Sequence, residues 1–174
     1  MLHIYYGKGK GKTSSALGLI LRACTYDKKI ALIQFLKPKK IFSGEHVSLC
    51  KLKNVRQIRF NQQHPIFTKN LTPKDIIKLK QNISKSLEEL KEILSNKEFD
   101  IIICDEILNI IGAKLIKEEE LAKLFNKINK KKEIILTGRN KPRKLLGIAD
   151  YVTEFRLVKH PFQKGILARK SIEF

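Results

Sequence analysis

Residues 7–13 read GKGKGKT, inside the opening stretch MLHIYYGKGKGKTSSALG at 1–18, and two readings compete for them. One is a lysine-rich stutter in a basic chain. The other is a phosphate-binding loop, a nest of backbone N–H groups backed by a lysine. The flanks favour the second. LHIYY at 2–6 is a short extended candidate, and Thr13 to about Tyr26 carry helical spacing through Ala16, Leu17, Ile20, Leu21 and Cys24. A glycine-rich turn from strand to helix is the context that such a loop requires. Gly7, Gly9 and Gly11 let the chain wrap a phosphate, Lys12 reaches its oxygens, and the Thr13 hydroxyl can bind Mg²⁺. The helix N-terminus adds its dipole. The spacing is one residue short, with only Lys8, Gly9 and Lys10 between Gly7 and Gly11 where four residues are usual.

Outward from the loop, strand and helix patterns alternate. IALIQFL at 30–36 and FDIIIC at 99–104 are continuous apolar runs, as expected of parallel strands covered on both faces. SGEHVSLCKL suggests a short helix, VRQIRF at 55–60 alternates like a strand, and residues 61–71 read as a loop. Thr72-Pro73-Lys74-Asp75 opens a helix, with Thr as N-cap, Pro in the first turn and an acid three residues on. Its apolar stripe runs through Ile76, Leu79, Ile83, Leu87, Leu90 and Leu94. A helix at about 117–129, a strand EIILTG at 133–138 and a shorter helix in KPRKLLGIA follow. YVTEFRLV and GILARKSIEF are expected to close the chain as strands. The pattern predicts one α/β domain over residues 1–174, with a doubly wound, mainly parallel sheet of about six strands.

Composition agrees with a folded, anion-friendly chain. Its 174 residues suit one domain, with 43% hydrophobic and 30% charged residues and a net charge of +19. Such a balance suits nucleic acid, a polyphosphate or an acidic protein surface. The lysines are spread through nearly every segment, so a solvated surface accounts for them as well as a binding stripe does. Cys24, Cys50 and Cys104 are odd in number and far apart, which suggests neither a zinc site nor a disulfide framework. No apolar run approaches the ~20 residues of a membrane span. A reducing cytoplasm is the simplest expectation.

FDIIICDE ends an apolar strand in Asp105 and Glu106. That places two carboxylates at the carboxyl edge of the sheet, beside the loop, where a metal ion on the phosphates would lie. LTGR at 136–139 puts Arg139 at the end of another strand, where it either faces phosphate or pairs with a surface acid. His160, in KHPF at 159–162, fits an ordinary turn as well as a functional position.

Together these motifs resemble the ATP:corrinoid adenosyltransferase family that makes adenosylcobalamin. The likeness covers nearly the whole chain: GKGKGKT with its short spacing, LRA at 21–23, QFLK at 34–37, SGE at 43–45, FDIIICDEI, LTGR, ADYVTEFRLVKHPF and GILARKSIEF. The resemblance implies a P-loop NTPase-like, RecA-like fold. It implies transfer of the 5′-deoxyadenosyl group of ATP to the cobalt(I) of cobalamin or a precursor, with release of triphosphate. Lys12, Thr13 and Glu106 are the implied catalytic residues. The phosphates would lie on Gly7, Lys8, Gly9, Lys10, Gly11, Lys12, Thr13, Ser14 and Arg22, with the N–H groups of residues 9–14 as donors. A Mg²⁺, or Mn²⁺ in its place, would sit on Thr13, Glu106 and Asp105. Phe60, Phe67, Arg139 and His160 are the implied corrinoid-facing residues, and core packing is an equal reading for the two phenylalanines. A homodimer and a flavodoxin-type reductant are the implied partners.

The chain also departs from the family pattern. Lys8 stands where Asn or Asp is usual, Asn109 comes one place late after the paired acids, and Ser171 replaces a glycine. There is no Trp, which serves some members near the corrinoid, and the first strand is expected to start at residue 2, where some members carry an N-terminal extension. Two other readings of the loop are a P-loop ATPase on nucleic acid and a small-molecule kinase. The first wants basic and aromatic residues interleaved on one face; the second wants an arginine-rich lid. Neither pattern is visible.

Overall fold

The computed structural model describes all residues except 39, 41, 63, 66–70, 128–130 and 174. Among the described residues six strands form one parallel sheet: β1 (Leu2–Tyr6), β2 (Ile30–Gln34), β3 (Val55–Arg59), β4 (Ile101–Asp105), β5 (Glu133–Gly138) and β6 (Tyr151–Glu154). Their order is β3-β2-β4-β5-β1-β6. The helices are α1 (Lys12–Cys24), α2 (Gly44–Leu49), α3 (Pro73–Ser95), α4 (Ile107–Gly112), α5 (Glu118–Asn126) and α6 (Arg143–Leu146).

Alternation within the strands sorts the apolar side chains between the two faces. Ile4, Ile33, Ile102, Cys104, Ile134 and Leu136 pack under α3, α4, α5 and α6. Ile30, Leu32, Ile103 and Ile135 meet Ala16 and Ile20 of α1 and Leu49 of α2. The long α3 begins as its sequence predicts: the Thr72 hydroxyl accepts from the Asp75 N–H at 3.2 Å, and the Asp75 carboxylate accepts from the Thr72 N–H at 2.9 Å. Its buried stripe includes Leu79, Ile83, Leu87, Leu90 and Leu94.

Two expectations change. GILARKSIEF is not a strand. After β6 the chain leaves the sheet, makes a 3₁₀ turn at Pro161–Lys164 and folds back, with Gly165 at φ 74° and Ser171 at φ 67° breaking any extended run. Arg169 and Glu173 then pair across one turn at 3.3 Å. YVTEFRLV is strand only through Glu154. β5 lies between β1 and β4, so Asp105 meets the loop across the carboxyl end of β5. The short α4 follows β4 at once and has no counterpart in the sequence reading; Ile107, Leu108, Asn109 and Ile110 are all buried, so it shows no amphipathic stripe.

Candidate active site

The loop that joins β1 to α1 is held from below and from the side. The Gly7 N–H donates to the Gly138 carbonyl at 3.2 Å, and the Gly9 N–H donates to the Phe155 carbonyl at 2.8 Å. The glycines are needed for this approach. A Cβ on Gly7 would lie 2.3 Å from the Phe155 oxygen, and one on Gly9 would lie 2.5 Å from the Arg156 oxygen. Gly9 therefore turns its N–H to the end of β6, which corrects the expectation that every donor from 9 to 14 faces a phosphate.

Lys12 opens α1, and its Nζ donates to the Gly7 and Gly9 carbonyls, both at 2.7 Å. Burial, then the charge of Arg139, depresses its ammonium below the usual range, while Glu106 and Asp105 pull the other way. The next residue spans the gap left by β5. The Thr13 hydroxyl donates to Asp105 Oδ1 at 2.9 Å, and the Thr137 hydroxyl, on β5, donates to the same oxygen at 2.7 Å. Gln34 Nε2 approaches Asp105 Oδ2 at 3.4 Å. Asp105 is 1% exposed, so these donors replace the water it gives up.

Glu106 follows at φ 63°, a turn that swings its side chain out of line with β4 and into the cleft. Its N–H donates to the Thr137 hydroxyl at 2.9 Å. Burial, then the neighbouring Asp105 charge, lifts its carboxyl to about 7 against the pull of Lys37, Arg139 and Lys12. His64 Nε2 lies 3.8 Å from Glu106 Oε2, and burial together with Arg139 lowers the imidazole below its usual range.

The loop and Glu106 line an open cleft of about 280 Å³, which gathers Lys8, Gly9, Lys10, Gly11, Lys12, Thr13, Ser14, Glu106, Arg139 and His160. The late Asn109 is buried, and its Oδ1 accepts the Arg139 N–H at 2.7 Å, so it shapes the LTGR turn. His160 caps its own 3₁₀ turn, its Nδ1 accepting from the Phe162 N–H at 3.2 Å. The folded-back tail adds Ile172 and Glu173 to the cleft wall, and Glu173 pairs with Lys10 at 2.9 Å.

Other expected residues stand elsewhere. Arg22 is exposed at the far end of α1, ~15 Å of helical rise from Lys12, in a groove with Met1, His3 and Glu133 at the opposite edge of the sheet. Helix geometry forbids it from reaching this loop within one chain. Phe60 is 8% exposed and packs edge-on against Phe35 with ring centroids 5.0 Å apart, which makes it a core residue. Phe67 lies outside the described residues. Thr137, Gln34, His64 and Phe155 were not singled out from sequence. The available signal was position: Gln34 and Thr137 are polar residues that end otherwise apolar strands, at the edge where ligands bind.

A loop with an ammonium, a helix N-terminus, a hydroxyl and two adjacent carboxylates suits a polyphosphate accompanied by a divalent cation. The family model for "ATP:corrinoid adenosyltransferase BtuR/CobO/CobP" matches residues 1–174. The chain belongs to that family. It is a transferase of the ATP:corrinoid adenosyltransferase type. It is 28% identical to the corrinoid adenosyltransferase of Escherichia coli (strain K12), over 98% of this chain and 84% of that protein. It is 29% identical to the corrinoid adenosyltransferase of a Sinorhizobium species, over 97% and 77% respectively. The corrinoid adenosyltransferase CobA of Salmonella typhimurium is 27% identical, over 98% and 84%. Among solved structures, domain III of the Thermotoga maritima replication initiation protein DnaA is similar over 88% of this chain and 53% of that one, at 20% identity and a TM-score of 0.42. No helix among the described residues is long and apolar enough to cross a membrane.

Proposed function

We propose that this single α/β unit transfers the 5′-deoxyadenosyl group of ATP to the cobalt(I) of a corrinoid, cobalamin or a precursor, and releases triphosphate. The reading is carried by the family match over residues 1–174, and the 2.9 Å bond from the Thr13 hydroxyl to Asp105, which joins the phosphate loop to the acidic strand across β5, supports its phosphate end. Cobalt(I) supplies the electron pair, the cobalt–C5′ bond forms, and the C5′–O bond breaks. The electrons leave on the triphosphate oxygen, and the cobalt ends formally as cobalt(III). No proton moves in this step, so the protein needs no general base. Its task is to hold the triphosphate, spread the charge that grows on the leaving oxygen, and aim C5′ at the metal.

Lys12 and the N–H groups of the loop from Lys10 to Ser14 suit the triphosphate. Thr13, Asp105 and Glu106 would hold a Mg²⁺ or Mn²⁺. The donor set fits such an ion, which needs few protein oxygens when phosphates and water complete its shell. When bound, it would neutralise part of the triphosphate charge. Arg139 and His160, at the rim, are assigned to the open side of the cleft, where the corrinoid would enter. A homodimer and a flavodoxin-type electron donor belong to the same reading, since a net charge of +19 gives an acidic donor a complementary surface. A reducing cytoplasm suits the unpaired thiols of Cys24, Cys50 and Cys104.

The test is direct. The protein is incubated anaerobically with ATP, Mg²⁺ and chemically reduced cobalamin, and the spectrum and phosphate products are followed. Adenosylcobalamin with triphosphate is the expected result; ADP or orthophosphate without a cobalt–carbon bond would overturn it. Lys12→Ala should abolish turnover, whereas Lys8→Asn, at an exposed side chain, should leave it largely intact.

A further inference from the structure

Phe155 is the first residue after β6, and its backbone is fixed by the sheet: its N–H donates to the Tyr6 carbonyl at 2.7 Å. From that anchor it touches the loop in three ways. Its carbonyl accepts the Gly9 N–H at 2.8 Å. Its ring lies against Gly11, where an added Cβ would stand 3.3 Å from a ring carbon. The Lys12 ammonium sits over the same ring, 6.0 Å from its centroid. The ring is tilted against Tyr5 at 5.8 Å, which braces it from behind. Phe155 is only partly buried and is absent from both apolar clusters among the described residues, so core packing does not account for it.

An aromatic face suits this task better than a carboxylate. It attracts an ammonium through its quadrupole yet accepts no strong hydrogen bond and cancels no charge. The ring thereby adds to the two bonds by which Lys12 Nζ rests on the Gly7 and Gly9 carbonyls, and it leaves the third N–H donor for a phosphate oxygen. Ordering a long side chain before binding lowers the entropy lost when the ligand arrives.

We propose that Phe155 is a positioning residue which presets the Lys12 ammonium for the polyphosphate of the incoming nucleotide, an inference that rests on the adenosyl-transfer reading only for the identity of that ligand. The contact acts on the phosphate end and is present before and during reaction. Its loss therefore raises Kd and KM for ATP more than it lowers kcat.

Phe155→Leu keeps the bulk and removes the face, Phe155→Met is a second non-aromatic variant, and Phe155→Tyr keeps the face. Calorimetric titration with Mg-ATP and, separately, with inorganic tripolyphosphate reads the phosphate end. The two non-aromatic variants should bind both ligands roughly fivefold more weakly, with Phe155→Tyr close to the unaltered protein. Unchanged binding in a folded Leu or Met variant would overturn the inference. So would loss confined to ATP, or a Tyr variant as weak as Leu. Failure of the unaltered protein to form a cobalt–carbon bond while it still binds tripolyphosphate would reject the adenosyl-transfer reading and leave Phe155 to be judged on binding alone.

Discussion

Replacing Thr137 with valine removes one hydroxyl at nearly constant volume, and that hydroxyl serves two neighbours at once. It donates to Asp105 Oδ1 at 2.7 Å and accepts from the Glu106 N–H at 2.9 Å, in a side chain 1% exposed. Loss of the bond to a carboxylate costs about 1.5–3 kcal/mol, and stranding a backbone N–H adds about 1–3 kcal/mol. The extra methyl offsets ~0.8 kcal/mol. The net expectation is a loss of about 3 kcal/mol, or roughly 9 °C in Tm for a chain of this length. Urea unfolding at constant m-value measures it. Thr137→Ser keeps the hydroxyl, sheds one buried methyl and should lose only about 1 kcal/mol. Turnover should fall about tenfold or more in the valine variant, because the backbone that aims Glu106 has lost its anchor. A valine variant within 1 kcal/mol of the unaltered protein, a bound taken from ~1 kcal/mol for one ordinary hydrogen bond, would refute the reasoning. A serine variant as unstable as the valine one would do the same.

Gly9→Ala drives a Cβ to 2.5 Å from the Arg156 oxygen, so the loop must shift and ATP binding should be lost in a titration. Gly18→Ala, in the middle of α1 with nothing within 4 Å of an added Cβ, should instead raise stability by up to ~1 kcal/mol in thermal unfolding. Glu45 is paired with Lys37; burial opposes its ionisation, but the hydrogen bond from Lys37 and the Lys37 charge outweigh it and hold the carboxyl down at about 2. Its folded pKa lies below the unfolded value of ~4.3, so its stabilisation is full above that pH and fades as pH falls toward the folded value. The Tm gap between the unaltered protein and Glu45→Gln should therefore be widest near neutrality and shrink between pH ~5 and ~2; a gap constant with pH would reject the pairing as its source.

The sheet was legible because its central strands, β2, β4 and β5, are buried on both faces. IALIQ and IIICD have no room for a polar interruption until their carboxyl ends, and those ends are where Gln34, Asp105 and Glu106 stand. The loop was legible because glycine, lysine and threonine meet there between strand and helix. What sequence could not convey is reach across the sheet. Nothing near Thr137 in the chain announces that its hydroxyl serves two residues some thirty positions earlier. Arg22 was misplaced because a matched motif carries no distance, whereas a helix has a fixed rise. The tail misled for a related reason: ILARKSIEF has strand-like composition, but β6 is followed by a turn that carries it away from the sheet edge.

The order of the strands also bears on how the protein is made. β1 emerges from the ribosome before the other five strands, yet its two neighbours, β5 and β6, emerge after β2, β3 and β4: Leu2 faces Ile134, and His3 faces Tyr151. Until those partners exist, the first strand has no ladder to join, and the glycine loop after it has neither the Gly138 nor the Phe155 carbonyl to rest on. Closing so long a stretch of chain is entropically slow. The half built from β2, β3 and β4 can condense early, while the nucleotide loop, synthesised ahead of it, is among the last parts to take its shape.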